Sequence, residues 1–329
     1  MAQGSRPSKR PRTAPDDVAQ DPLKHHEEFW LDDGNVVLVA RNIGFRVYRG
    51  LLVTQSTVFA DMFASSSPHS DETIDGCPVI HVSDSPEDLV HLLRVLLPTT
   101  QRRFRREKDT PERTFDEVFA VITLAHKYHI EDVRRQALCS LREYTFNDNF
   151  AVWKGVRKEI ISVDDACAIG AFNLARLLDV PEMLPIALYK CLSLGPSLLD
   201  GWTRGDGSVE YLSQDDIKRC FAASNELAAD CVTLTYSVYH PHASSGCNHA
   251  SHCKATLRQM LADIMQHAPG AVSHASEVMT PCMFNFGDYD LCAPCEQALM
   301  ERDVSGRDMI WNGFPHLFHI VAKDWGKGV

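Results

Sequence analysis

Four cysteines in the last third of the sequence have the residue type and the spacing of a metal site. Cys247 and Cys253 enclose five residues in CNHASHC, and Cys292 and Cys295 enclose two residues in LCAPCEQ. Zinc takes four ligands in a tetrahedron and binds thiolate sulfur well, and two sulfurs of one short turn can reach the same ion. The pattern therefore predicts a zinc site formed by these four thiols.

The sequence leaves the ligand set open. His249 or His252 can replace one thiol, and Cys282 is a further thiol between the two pairs. The same cysteines can also remain reduced thiols, or a redox-labile cluster, without a metal. Four protein ligands leave no open position for water, so an ion bound by all four would be structural. Because the pairs are distant in sequence, only the tertiary fold can bring them together.

The remaining cysteines are scattered and predict core packing. Cys220 and Cys231 lie on the apolar stripe of one predicted helix, and other cysteines in helical patterns are Cys139, Cys167 and Cys191. Free cysteine is among the most buried residue types, which favours this interpretation. The total of 11 cysteines is odd, and no secretory context supports a disulfide framework.

Length and composition indicate a globular protein. The 329 residues suggest two or three domains, and the content of 44% apolar and 23% charged residues is ordinary. No apolar run is long enough for a transmembrane helix, and the N-terminus lacks the apolar stretch of a signal peptide. We therefore expect no membrane partner and a location in the nucleus or the cytoplasm, where thiols stay reduced.

Positive charge is concentrated in two short segments. The net charge of -11 argues against a general nucleic-acid coat. Residues 1–27 are polar, rich in proline and without periodicity, which predicts a disordered tail. SKRPR within this tail resembles a nuclear import signal, although a solubilising tail has the same composition. The second basic segment, residues 101–108, is predicted to be a loop between helices.

The first half of the chain alternates between strand and helix patterns. VVLVA predicts a buried strand, IGFRVYRG an alternating strand that forms a hairpin with it, and CPVIHVSD a third strand. Ser56 can cap a helix over STVFADMFA, and Ser85 followed by Pro86 marks the start of another. Two further helices are predicted between Phe115 and Tyr144 from their apolar spacing.

The second half has mainly helical patterns. Residues 146–240 are mostly helical in spacing, and the longest predicted helix follows Ser213, which can cap it. A shorter helix is predicted near 254–267, between the two cysteine pairs.

The stretch FRVYRGLLVTQSTVFADMF resembles the characteristic strand and helices of a BTB/POZ domain. The matching residues are Phe45, Val47, Tyr48, Arg49, Leu52, Ser56, Phe59, Met62 and Phe63. Tyr48 stands where the family usually has histidine. VIHVSDSPEDLVHLLRVL resembles the family's third strand and next helix. The closing helical pair resembles the family in its Ala-x-Lys-Tyr signature at Ala125, Lys127 and Tyr128.

The C-terminal part is similar to that of fungal, mushroom-type BTB proteins. In those proteins a Cys-x5-Cys pair is followed by a helix, then by Leu-Cys-x2-Cys and a segment with tryptophans. The further matching residues here are Leu291, Trp311, Phe314 and Trp325.

The resemblance implies an α+β fold with a defined domain order. We expect a BTB/POZ domain at 28–144, with a short three-stranded sheet and a helical cluster. A helical region at 145–240 and a Cys/His region at 241–329, stabilised by a zinc clamp, would follow it.

The resemblance also implies a protein-binding function. BTB domains commonly homodimerise through their N-terminal strand and first helix, which here point to Phe29, Trp30, Leu31 and residues 51–62. Many present a face to a cullin-type ubiquitin ligase scaffold or to transcriptional co-repressors. We therefore expect a homodimeric adaptor that recruits substrates to a cullin. The alternative is a nuclear transcriptional co-regulator that acts through BTB contacts.

Other function classes find little support in the sequence. Nucleophile-elbow, P-loop, dinucleotide-binding and zinc-protease motifs are absent from the sequence, so no enzyme is predicted. Acidic pairs such as Asp32-Asp33 and Asp215-Asp216 lie at turns or helix starts, where capping explains them. No histidine pair follows Cys295 at zinc-finger spacing, so direct nucleic-acid binding is not expected.

Overall fold

The computed structural model describes most of the chain. The described residues are 22–65, 72–97, 113–155, 161–162, 165–267, 274–280 and 289–327. The predicted import signal, the basic segment 101–108 and Cys282 lie outside them. Contacts divide the chain into two compact units, which are Met1–Gly50 with Ser66–Pro86, and Leu51–Ser65 with Glu87–Val329. None of the described helices combines the length and the apolar character that a membrane span needs.

The first unit contains a five-stranded mixed sheet. Its strands are β1 (Lys24–Trp30), β2 (Val36–Ala40), β3 (Ile43–Val47), β4 (Thr73–Ile74) and β5 (Cys77–Val82). The order across the sheet is β1-β3-β2-β5-β4. The hairpin of β2 and β3 is antiparallel, whereas β2 pairs with β5, and β1 with β3, in parallel.

The apolar patterns of the predicted strands agree with their burial in the sheet. All five residues of β2 are buried, as expected for a central strand without polar positions. On one face Val37 and Val39 pack with Cys77 and Val79 of β5. The three predicted strands and the hairpin are therefore confirmed.

The predicted count of three strands is wrong, because β1 and β4 also join the sheet. β1 begins at Lys24, so the last four residues of the predicted tail belong to a strand. Its sequence KHHEEFW is mostly polar, and β4 has only two residues. Both are edge strands that join the sheet through backbone hydrogen bonds, for which side-chain alternation gives no signal.

The second unit is mainly helical. Its helices, of which α1 and α3 begin at the unit boundary, are α1 (Arg49–Gln55), α2 (Thr57–Ser65), α3 (Pro86–Leu96), α4 (Phe115–Lys127), α5 (Glu131–Tyr144), α6 (Phe150–Trp153), α7 (Cys167–Leu177), α8 (Leu184–Cys191), α9 (Gln214–Val238), α10 (Ala250–His267) and α11 (Ala293–Leu317). Two short ribbons accompany them, β6 (Arg113–Thr114) with β7 (Ile161–Ser162), and β8 (Trp202–Thr203) with β9 (Val209–Glu210).

Two predicted helix caps are present. The Ser56 hydroxyl accepts a hydrogen bond from the backbone N–H of Phe59 at 3.0 Å. The Ser213 hydroxyl accepts one from the backbone N–H of Asp216 at 3.1 Å, at the start of α9. Each cap satisfies a donor that the first turn of a helix leaves free. The predicted starts of α2 and α9 are confirmed.

The long helix α11 was not predicted. Its 25 residues include Pro294, Gly306, Gly313 and Pro315, and glycine and proline are the weakest helix formers. Pro294 lies in the first turn, where a proline is tolerated. Helix α11 therefore depends on tertiary packing more than on its local preference.

The main core of the second unit forms around α7 and α8. Helix α7 is buried from Cys167 through Ala175 except at Asn173, and Gly170 lets it meet a tryptophan, since an added Cβ there would lie 2.4 Å from Trp202. Trp311 and Phe314 of α11 pack into the same core. Four of the cysteines predicted to be in the core are buried, namely Cys167, Cys191, Cys220 and Cys231. Cys139 is a correction, because it lies on the outward face of α5 and is exposed.

A buried arginine joins three elements of the second unit. Arg204, which follows β8, donates to both carboxylate oxygens of Asp88 in α3, at 3.0 and 2.5 Å. It also donates to Asp116 in α4 at 2.9 Å, and its guanidinium lies 4.6 Å from the ring centre of Phe119. The planar guanidinium suits such two-point pairing. Asp88 is therefore both a helix-start residue and one partner of a buried ion pair.

Candidate metal centre

The four cysteines predicted to form a metal site lie together. The sulfurs of Cys247, Cys253, Cys292 and Cys295 are all within 4.8 Å of one another. The Sγ atoms of Cys253 and Cys292 are 3.7 Å apart, and those of Cys292 and Cys247 are 3.6 Å apart. No other group of three or more potential ligand side chains is this close in the described part of the chain. The predicted convergence of the two pairs is confirmed.

The distances between the sulfurs fit a tetrahedral ion. A zinc–sulfur bond of about 2.3 Å implies a separation of about 3.8 Å between two sulfurs of the same tetrahedron. The two separations above are within about 0.2 Å of this value. The four thiols therefore fit one zinc ion in their chemistry, and these two separations fit it in size.

Each cysteine pair spans the start of a helix. Cys247 precedes α10 and Cys253 lies in its first turn, where its N–H donates to the carbonyl of His249 at 3.0 Å. Cys292 is the N-cap residue of α11, and Cys295 lies in the first turn. The N-terminus of a helix carries a partial positive charge, which favours a thiolate over a thiol. Two helix starts thus favour the ionised form that a metal needs.

Backbone donors complete the surroundings of the sulfurs. The N–H of Ser244 donates to Sγ of Cys295 at 3.4 Å. The backbone N–H groups of His249 and Cys292 favour the thiolate forms of Cys247 and Cys253, respectively. Hydrogen bonds of this kind orient the ligands of metal sites and tune their basicity.

The thiols titrate differently because their surroundings differ. Burial raises the pKa of Cys295 to about 12. At Cys253 the N–H of Cys292 favours the thiolate, but burial and the neighbouring thiols outweigh it and raise the pKa. The hydrogen bond from the N–H of His249 lowers the pKa of Cys247. Adjacent thiolates disfavour one another, so full ionisation of this cluster requires a positive charge, which a divalent cation supplies.

The centre is part of a small hydrophobic core. Along α10, Cys253 is followed on the same face by Leu257, Met260 and Ile264, all of which are buried. The other buried members come from the end of α9, the segment before α11 and α11 itself, namely Leu234, Val238, Tyr239, Leu291, Cys295 and Leu299. An ion bound to the four thiols would therefore fasten α10 and α11 together.

The two alternative histidine ligands do not join this cluster. His252 directs Nε2 to Asp290, with 3.0 Å to its backbone carbonyl and 3.2 Å to its carboxylate. His249 is exposed and contributes its backbone N–H. The structure therefore favours the set of four thiols.

Arg302 was not recognised from the sequence, although it holds the loop before Cys247. Its Nη1 donates to the carbonyls of Val238 and His240 at 2.9 and 3.0 Å, and its Nη2 donates to the carbonyl of His242 at 3.0 Å. The partners are backbone oxygens, which every residue has. No sequence signal could therefore have identified this arginine.

The residues that resemble a BTB motif mainly form cores. The buried members are Phe45, Val47, Leu52, Ser56, Phe59 and Phe63. Met62 is half-buried and Arg49 is exposed. The Tyr48 hydroxyl donates to the Asp33 carboxylate at 2.5 Å, so the tyrosine has its own local partner. Among the residues expected at a dimer interface, Phe29 is buried, whereas Trp30 and Leu31 are half-buried.

Two distant parts of this motif meet in the second unit. The Ser56 hydroxyl donates to the carbonyl of Tyr128 at 2.6 Å. The rings of Phe59 and Tyr128 stack with their centres 4.3 Å apart. The serine of the first helical motif and the tyrosine of the Ala-x-Lys-Tyr signature therefore contact each other.

The chain was also compared with known proteins. No protein-family model matches it. No curated protein matches it at a significant level.

Proposed function

We propose that the chain is a protein-interaction adaptor of the BTB/POZ kind whose C-terminal region is stabilised by one zinc ion. The zinc part of the proposal rests on the convergence of four sulfurs within 4.8 Å. Four thiolates close the coordination sphere, so the ion would act as a structural link and not as a catalyst.

The zinc proposal is tested by measuring metal content. We expect about one zinc per chain after purification without chelator, determined by mass spectrometry of the metal. A strong chelator should lower the melting temperature, because a metal that binds the folded chain adds its binding free energy to folding. Zinc near zero together with unchanged stability in chelator would reject the proposal.

The adaptor role is supported by a contact between two parts of the sequence that resemble a BTB domain. The contact between Ser56 and Tyr128 joins two motif parts that are 72 residues apart. Buried aromatic and aliphatic residues of the motif form cores, and the adaptor role is what the resemblance of this motif implies. A cullin-type ubiquitin ligase scaffold is the partner class that the resemblance favours.

Homodimerisation is the part of this role that is simplest to measure. Within the described part of the chain, β1 pairs only with β3 and so forms one edge of the sheet. An edge strand leaves backbone groups free to pair with another chain. We expect light scattering at micromolar concentration to give about twice the mass of the chain, which is 36.9 kDa. A species of the single mass alone would contradict a dimer.

The adaptor role itself is tested with partners. The tagged protein is purified from its own cells, and the co-purified proteins are identified by mass spectrometry. A cullin scaffold in the eluate would support the ligase adaptor. Transcriptional co-repressors without a cullin would support the alternative role in transcription.

A further inference from the structure

A groove lies between α9 and α11, next to the cysteine cluster. Its volume is about 770 Å³. That volume lies within the range of about 300–1,000 Å³ that is usual for ligand sites. Its apolar lining comes from both helices and includes Leu234, Gly306, Met309 and Ile310.

Part of the apolar lining of this groove is exposed to solvent. The Met309 side chain lines it and is 74% exposed. Methionine is flexible and polarisable, and it is common on surfaces that bind varied apolar partners. The lining also includes hydroxyl side chains, among them Thr233, Ser237 and Ser305. Such groups can pair with the backbone amides of a bound peptide.

The groove has a net negative charge, because its lining includes two carboxylates and one guanidinium. Asp230 and Glu301 line it, and Glu226 lies one turn from Asp230 on α9. In the described part of the chain, no lysine, arginine or histidine forms an ion pair with any of these three carboxylates. His242 and Arg302 also line the groove, but the guanidinium of Arg302 donates to three backbone carbonyls.

The pKa of Asp230 is raised above its ordinary value. Burial raises its pKa, and the negative charge of Glu226 adds to the effect. A cationic group placed in the groove would favour the ionised carboxylate and so oppose both effects.

We propose that this groove binds a peptide segment of a partner protein in which apolar side chains flank a lysine or an arginine. The apolar side chains would lie on Leu234, Met309 and Ile310, and the basic group would lie between Asp230 and Glu301. This inference rests on the proposed adaptor function for its partner class and adds the chemistry of the segment that is recruited. Grooves between two helices are a recurrent site of peptide recognition.

The metal centre supports one wall of the groove. Residues 242–245 belong both to the lining and to the loop that leads to Cys247. Ser244 in this wall donates its N–H to Cys295. Removal of zinc should therefore weaken peptide binding as well as stability.

The test begins with a random peptide library displayed on phage and selected on the zinc-loaded full chain. We expect the enriched peptides to carry lysine or arginine beside apolar residues. A synthetic copy of an enriched peptide is then titrated by calorimetry into the wild type and the variants Asp230→Asn and Glu301→Gln. Each substitution should weaken binding about two- to fivefold, as expected for a partly exposed ion pair.

The control variant changes a carboxylate of α11 that lies outside the groove. Asp308→Asn removes an exposed carboxylate of α11 that does not line the groove, so affinity should stay unchanged. Selection without basic peptides, or equal affinity in all variants, would overturn the proposal. A change in dimer mass caused by the groove variants would assign the groove to a second copy and would also overturn it. Zinc content and dimer mass are measured on the same variants, so failure of the groove is distinguished from failure of the adaptor proposal.

Discussion

The backbone N–H of Ser244 donates a hydrogen bond to Sγ of Cys295, over 3.4 Å and across 51 residues of sequence. Arg302 also holds the segment that carries Ser244, because it donates to the carbonyl of Val238 at the end of α9 and to those of His240 and His242 in the loop. Arg302 is in turn on α11, the helix that begins at the cysteine pair. The cysteine cluster, the loop and helix α11 are therefore connected by hydrogen bonds.

Replacement of Cys295 by serine should remove the metal. Cys295 is fully buried among the four sulfurs, and serine is a poor ligand for zinc. We expect zinc content to fall from about one per chain to near zero and the melting temperature to fall by several degrees. The matched control is Cys139→Ser, because Cys139 is an exposed cysteine outside the cluster. Equal zinc content in the two variants would contradict a site at Cys295.

Replacement of Arg302 by lysine should loosen the loop before Cys247. Lysine keeps the positive charge but lacks the planar arrangement of donors that reaches three carbonyls. We expect a loss of about 1.5–3 kcal/mol in unfolding free energy, as for hydrogen bonds that involve a charged group. Hydrogen exchange, followed by mass spectrometry, should become faster for the peptide that contains Ser244. Unchanged exchange there would show that Arg302 does not hold the loop.

Two glycines of α11 should respond in opposite directions to alanine. An added Cβ at Gly306 would lie 2.3 Å from Cδ1 of the buried Leu234, whereas nothing lies within 4 Å of one at Gly313. Alanine is the better helix former by about 1 kcal/mol, so Gly313→Ala should stabilise the protein. Gly306→Ala should destabilise it by about 1–3 kcal/mol, since Leu234 must leave its packed position. Urea unfolding of both variants measures the difference, and equal effects would contradict close packing of α9 and α11.

The pH dependence of stability should change at Asp230. Because its pKa is raised in the folded state, the folded chain holds this proton more tightly than the unfolded chain. The ionised carboxylate therefore disfavours folding at neutral pH, and the penalty disappears as the pH falls below the unfolded pKa. Asp230→Asn should stabilise the protein at pH 7 by about 0.3 kcal/mol, and the gain should vanish in acid.

Asp215 is the matched control, and it should show the opposite sign. A hydrogen bond and an ion pair with Lys218 lower its pKa in the folded state. Asp215 therefore contributes stability above its unfolded pKa, which is lost as the pH falls through the folded value. Asp215→Asn should destabilise the protein at pH 7 and have no effect in strong acid. Melting temperatures of both variants and the wild type across this pH range provide the measurement, and shifts of the same sign would contradict this account.

Local patterns in the sequence were sufficient for much of the secondary structure. Ser56 and Ser213 mark helix starts because a hydroxyl beside a helical run satisfies a free backbone donor. The apolar run of β2 marks a central strand because each of its side chains must be buried. The spacing of Cys292 and Cys295 indicates a metal site because one turn brings both sulfurs to the same side. All these signals act over a few residues.

Features that depend on residues far apart in sequence could be identified only from the tertiary structure. β1 is a strand because its backbone pairs with that of β3. Its own polar sequence does not indicate a strand. Arg302 binds carbonyls, and Arg204 joins carboxylates that also serve as ordinary helix-start residues. The approach of Cys247 to Cys292 required the starts of α10 and α11 to lie close together. Sequence determines which groups are available, but only the packing of remote segments determines which of them meet, because that pairing minimises the free energy of the whole chain.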